Sequence, residues 1–392
     1  MKTKLNYNHT MLGCYLACVS QAIICSFAPL LFLTFQREFA LSLEQITLLV
    51  TLNFLTQLTV DALCARVVDR IGYRPCIVAG LLCAAAGVAG LAVLPNILPP
   101  LAGLLTSVVI YGIGGGIIEV LSSPIAEACP TENKEAAMSL MHSFFCWGCV
   151  AVILLSTALF SLLGMENWRF VAVFWAIVPL CTAILFTGVP IAAVVEDGKS
   201  LSIGELLKNK LFWILMLLMI CSGAVEHSIS QWASAFAESG LGVSKTVGDL
   251  AGPCFFAVLM GVARVLHARM SDRIVLENYM SGSAVLGIVG FAMVVLAPNP
   301  VVNLLGCGVC GFACAIMWPG TLSIAAKRCP LGGTAMFALL ALGGDVGCTT
   351  GPTLVGFVSG LFGDDLKTGI AAAVVFPILI LLGIGMLKRT KQ

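Results

Sequence analysis

The feature that most constrains this chain is a succession of long, nearly charge-free apolar runs separated by short polar or Pro/Gly breaks. A helix of about 20 apolar residues rises roughly 30 Å, the thickness of a bilayer's hydrocarbon core. Reading between the breaks places such helices at 11–35, 43–68, 74–94, 100–127, 134–162, 168–189, 210–237, 246–268, 278–296, 301–326, 333–361 and 368–388. Composition closes off a soluble alternative. Of the 392 residues, 59% are hydrophobic and only 10% are charged, so the outside of the molecule must be apolar too, and lipid is its solvent. Lys2 and Lys4 precede the first run as in a signal peptide. That run is longer than the usual apolar core of about 7–15 residues and lacks an A-x-A site, so it reads as a retained helix.

An even number of spans puts both termini on one side. With the N-terminus cytoplasmic, 17 of the 21 Lys and Arg residues fall inside, leaving Arg37, Arg169, Lys245 and Lys367 outside. This asymmetry predicts a multi-pass protein of the cell (cytoplasmic, inner) membrane with both termini in the cytoplasm. The longest polar break lies between the sixth and seventh runs and includes a short amphipathic piece at 203–207. It divides the chain into an N-terminal six-helix bundle (1–194), a cytoplasmic linker (195–209) and a C-terminal six-helix bundle (210–392). The halves echo each other: Ala65 to Arg70 resembles Ala268 to Arg273, and Ala128-Cys129-Pro130 resembles Arg328-Cys329-Pro330. Both pairs are offset by about 200 residues, as expected of a two-halved transporter.

Several functions are excluded. A net charge of +1 with no basic cluster leaves no footprint for nucleic acid. No nucleophile elbow, HExxH, P-loop or paired metal-ligand spacing is present, so neither an enzyme nor a cofactor or metal is expected. The pairs Cys146/Cys149 and Cys307/Cys310 lie within apolar runs, where cysteine packs as a small hydrophobe. Without a nucleotide-binding motif, transport would draw on an ion gradient.

The loop Asp69-Arg70-Ile71-Gly72-Tyr73-Arg74 resembles the signature of the major facilitator superfamily, G-x-L-x-D-R-x-G-R/Y-R/K, with Ala65 and Val67 at its first two fixed places. In the second half Asp272 and Arg273 remain while the later glycine is absent. A narrower likeness is to the fucose permease branch of sugar:proton symporters. It rests on Glu119 ahead of Ser123-Pro124, on Gly223-Ala224-Val225-Glu226 leading to Trp232, and on Gly343-Gly344-Asp345-Val346-Gly347. That branch's aspartate in the first helix falls here at Pro29. The resemblance implies an all-α integral membrane fold of twelve transmembrane helices in two pseudo-symmetric bundles. It also implies a secondary transporter, active as a monomer, that imports a sugar or similar small polar solute with protons by alternating access. The alternative is a proton-antiport exporter of amphipathic compounds, for which the apolar inner spans and Gly351-Pro352 speak.

Asp61, Glu119, Glu226 and Asp345 are acids inside apolar runs. A charge at the bilayer centre costs at least about 2.5–3.5 kcal/mol, so each needs a partner, a proton or a water-filled cavity. A carboxyl shielded from water without a fixed counter-charge holds a proton and releases it when its surroundings open, which is what proton coupling requires. Glu119, just after Gly114-Gly115-Gly116, is a coupling or substrate-binding residue, or else a protonated structural one. Glu226, His227, Gln231 and Trp232 lie within two turns, with His227 and Gln231 on one face. They suit a sugar, or fix the helix through a buried Glu–His hydrogen bond. Asn53, Gln57 and Asp61 form a stripe at i, i+4 and i+8, with Asp61 assigned to a gate. Asp345 faces either a cavity or another helix. His142, Trp147 and Trp318 border the cavity or serve packing. The resemblance gives Asp69 the role of capping the eleventh helix. Glu127 is placed to pair with Arg70 or Arg74, and Asp272 and Arg273 complete the gating set.

Overall fold

Every expected run is helical in the computed structural model, which describes residues 5–130, 134–192, 203–270, 274–329 and 331–389, without the side chains of 65–67, 69–70, 134–139, 268–270 and 333–335. No strand occurs among the described residues. The chain divides into two compact units, Met1–Glu196 and Asp197–Gln392.

The first unit holds span one (Tyr7–Phe39), span two (Leu43–Ile71), span three (Tyr73–Ile97), span four (Pro100–Ala128), span five (Lys134–Leu163) and span six (Trp168–Gly188). Among the described residues of the second, the first element is a short helix, Ile203–Lys208, where the amphipathic piece is expected. Span seven (Lys210–Gly240), span eight (Lys245–His267), span nine (Leu276–Leu296), span ten (Pro300–Arg328), span eleven (Gly333–Leu361) and span twelve (Leu366–Arg389) follow. Among the described residues, 11 of these are long and apolar enough to cross a membrane. The other is span eleven, whose 29 residues are ample in length but diluted by Asp345, four threonines and several glycines.

The helix ends follow local chemistry. Ser42 Oγ accepts from Gln45 N at 3.2 Å while Gln45 Oε1 accepts from Ser42 N at 2.9 Å. This capping box starts span two at Leu43. Gly72, at φ 95°, turns the chain between spans two and three in a region closed to most side chains.

Helices in lipid associate through close packing rather than hydrophobic exclusion, so small residues mark their contacts. In the first unit a Cβ on Gly87 would lie 2.3 Å from Tyr111 N, and one on Gly114 would lie 2.5 Å from Ala84 N. Spans three and four therefore touch backbone to backbone. In the second unit a Cβ on Gly223 would meet Gly344 O at 2.2 Å, and one on Gly347 would meet Ile220 O at 1.9 Å. Spans seven and eleven are joined in the same way.

Ion pairs tie helix ends together. Glu38 pairs with Arg169 and accepts from Trp168 Nε1 at 2.8 Å, joining spans one and six. In the second unit Arg328 donates to Glu277 Oε1 at 3.0 Å and to Leu387 O at 2.8 Å, joining spans nine, ten and twelve. Asp249 is fully buried, ion-paired to Lys245 at 2.7 Å and hydrogen-bonded by Ser234. Removing one partner of a buried pair leaves the other charge unmatched. Lys245→Met is therefore expected to cost about 3 kcal/mol of stability, read as a lower melting temperature of the detergent-solubilised protein. An unchanged melting temperature would show that Asp249 is satisfied without the lysine.

The spans are less regular than the apolar runs suggest. Span one breaks after Ser26 into a 3-10 turn at Ala28–Leu31. Span ten stops at Cys314 and resumes at Met317, and span twelve is interrupted between Ala372 and Val375. Span eight carries a π-turn at Leu250–Cys254. A proline ring clashes with the carbonyl four residues earlier. Pro319, Pro377 and Pro253 thus act on Ala315, Ala373 and Asp249, at the interruptions themselves. The carbonyl freed at Ala315 accepts from Arg264 Nε at 3.3 Å. Span seven also breaks, after Ser230, but at Gln231 and Trp232 rather than at a proline.

Candidate functional site

In the first unit the polar stripe of span two meets spans one and four. Asn53 and Gln57, one turn apart and both buried, are linked by Gln57 Nε2 donating to Asn53 Oδ1 at 2.9 Å. Gln57 Oε1 accepts from Gln21 Nε2 on span one at 2.7 Å. The same Gln21 nitrogen donates to Glu119 Oε2 on span four at 3.2 Å. The result is a chain of three amides and a carboxylate in which the Gln21 NH2 donates to both of its neighbours. Glu119 itself is exposed, while the amides behind it are buried.

The glycine triplet before Glu119 makes this possible. A Cβ on Gly115 would lie 2.8 Å from Gln57 Oε1 and 3.2 Å from Gln21 Oε1, and one on Gly116 would lie 2.8 Å from Asp61 Oδ1. Gly115 and Gly116 give room to side chains of spans one and two, and Gly114 to span three. Asp61 therefore lies half-buried against span four, with a carboxylate oxygen within 4.8 Å of one of Glu119. Gln21 is the residue that sequence reasoning missed. A lone amide in the apolar run Val19-Ser20-Gln21-Ala22 was the available signal.

In the second unit the candidates gather near the crossing of spans seven and eleven. Gly223 faces Gly344 there, and the ring of Trp318 lies on Gly344, 2.1 Å from where its Cβ would be. Asp345 is the next residue and is buried. His227 is half-buried with Nδ1 3.2 Å from Gly223 O. Glu226 is buried at the same level. Gln231 is buried at the break of span seven. Trp232 is fully buried and donates from Nε1 to Pro352 O at 3.0 Å, so its ring packs within the protein and offers no open face in this conformation.

The remaining candidates lie elsewhere. His142 and Trp147 are exposed on span five, two residues before and three after Phe144, which stacks on Tyr15 of span one at 4.6 Å. Arg74 donates to Phe186 O, Thr187 O and Val189 O at 2.8, 3.0 and 2.7 Å. These are the unpaired carbonyls at the end of span six, where a cation is favoured. Arg74 is thus engaged by span six, and Glu127 is exposed at the end of span four. The side chains of Asp69 and Arg70, and all of Asp272 and Arg273, lie outside the described residues.

This arrangement offers carboxyls that can take up protons and amides that match hydroxyl groups. The family model of the Major Facilitator Superfamily matches residues 11–352. The membrane protein MosC of Rhizobium meliloti is 26% identical over 268 residues, 65% of this chain and 61% of that relative, so the match spans less than two thirds of the relative's length. Among solved structures, the nucleoside transporter NupG superposes with a TM-score of 0.77 at 14% identity, over 97% of this chain and 99% of that one. A D-xylose-proton symporter gives 0.74 at 16% identity, over 97% and 96%. The E. coli fucose:proton symporter gives 0.66 at 15% identity, over 98% of each chain. At these identities the likeness is one of fold.

Proposed function

Since the chain belongs to the major facilitator superfamily and is a multi-pass membrane transporter, we propose that it imports a small hydroxylated solute, a sugar or a nucleoside, together with protons. The observation that carries this reading is the chain Asn53–Gln57–Gln21–Glu119. Amides offer both a donor and an acceptor, as hydroxyls do, and the exposed carboxylate at the end of the chain can carry a proton. Glu226, His227, Gln231, Asp345 and Trp318 supply the corresponding groups of the second unit, and the pairs Asp69–Arg70 and Asp272–Arg273 belong to the gate. The similar folds of a D-xylose-proton symporter, a fucose:proton symporter and a nucleoside transporter agree with a sugar ring as the common ligand element. The distribution of Lys and Arg supports cytoplasmic termini in the cell membrane, and the monomer is the expected unit of transport.

The test is uptake of labelled D-xylose, L-fucose and uridine into proteoliposomes under pH gradients of either sign. Coupling to one proton should allow about tenfold accumulation per pH unit when the outside is acidic. Accumulation only with an acidic interior would indicate export, and uptake indifferent to pH would remove proton coupling.

A further inference from the structure

The hydrogen bonds of the amide chain run outward from the Gln21 NH2, to Gln57 and on to Asn53 on one side and to Glu119 on the other, and this leaves one atom over. Gln21 is only 9% exposed, yet its Oε1 accepts no hydrogen bond among the described residues. Turning the amide over does not help, because its nitrogen lies between two acceptors, Gln57 Oε1 at 2.7 Å and Glu119 Oε2 at 3.2 Å. An ionised carboxylate cannot donate. While Glu119 is ionised, Gln21 must turn its NH2 toward it. Gln57 is held as well, since its own NH2 is committed to Asn53 Oδ1. The orphaned oxygen lies over Gly115, 3.2 Å from where a Cβ would be. Buried acceptors in folded proteins almost always find a donor.

We propose that Gln21 is a specificity-determining residue whose Oε1 receives a hydroxyl of the transported solute. With the Glu119 carboxylate beside it, this part of the site presents acceptors alone. The ligand must therefore bring hydrogen-bond donors, and a carboxylate or phosphate placed there is repelled. Neutral polyhydroxyl compounds are the class that fits, an inference that rests on the import of a hydroxylated solute argued above. A group that accepts but does not donate, such as fluorine, cannot replace the hydroxyl that Gln21 reads.

The experiment uses the full chain in detergent. D-xylose, L-fucose and uridine are tested for a rise in melting temperature, because a ligand of the folded state stabilises it. The bound compound is then compared with its monodeoxyfluoro analogues, one for each hydroxyl, in the wild type and in Gln21→Met. In the wild type, fluorine at one position should weaken binding about tenfold or more, since it leaves a buried acceptor unpaired. In Gln21→Met the penalty at that position should vanish while those at the other positions persist. A variant that is merely misshapen would change all positions together. If the same position keeps its penalty without Gln21, or if no position pays one, the assignment to Gln21 is overturned while sugar binding stands. If none of the three compounds binds, both readings fall.

Discussion

Alanine at Gly347 is expected to lower the melting temperature of the protein markedly, and leucine there to leave little that can be purified folded. The Cβ of either residue would sit 1.9 Å from Ile220 O, 2.8 Å from Ile220 C and 2.9 Å from Ala224 N. All three are backbone atoms, so no rotamer change relieves the overlap. Spans seven and eleven would have to move apart along their contact. That loosens Gly223 against Gly344 and Gly351 against Ala224 O, the latter a would-be approach of 2.5 Å. Overpacking a core commonly costs about 1–3 kcal/mol, and a contact between two backbones belongs at the upper end. Gly385→Ala is the control, since nothing lies within 4 Å of its would-be Cβ. The control should melt at or above the wild-type temperature, because alanine is the better helix former. If Gly347→Ala melted with Gly385→Ala, the close crossing would not be holding the second unit together. The effect bears on function because Glu226, His227 and Asp345 are carried on these two helices.

The spans themselves could be read from the chain, and every expected helix end lies within four residues of the observed one. Length and apolarity are local properties, and a bilayer demands them of each span separately. The breaks were not readable in the same way. Pro319, Pro377 and Pro253 interrupt their helices, whereas Pro179 and Pro352 sit inside continuous ones. Residue type is the same in each case. In span ten the difference lies on a neighbouring helix, where Arg264 of span eight takes up the freed carbonyl. The candidate site divides along the same line. The pair Asn53 and Gln57 showed in the sequence because one turn separates them. Gln21 lies 36 residues from Gln57 and 98 from Glu119, and no periodicity links them. Arg74 looked like a partner for a carboxylate, but the end of span six offers it three carbonyls instead.

Glu119→Gln should separate the two tasks this site is asked to perform. The substitution keeps the size of the side chain and a carbonyl oxygen that can still accept from Gln21 Nε2, now 3.2 Å from the carboxylate. It removes the charge and with it the ability to bind and release a proton. Wild-type protein coupled to one proton accumulates solute about tenfold for each pH unit of gradient. The variant should reach equal concentrations on both sides and go no further. Exchange of labelled for unlabelled solute at equal pH should continue, because that process needs only binding and reorientation. Gln57 Oε1 still holds the Gln21 NH2 at 2.7 Å, so Gln21 keeps its Oε1 free for the ligand and the variant should reject the same fluorinated analogue as the wild type. Accumulation at the wild-type level would move the coupling role to Glu226 or Asp345. Loss of exchange together with accumulation would mean that the Glu119 carboxylate holds the solute as well as the proton.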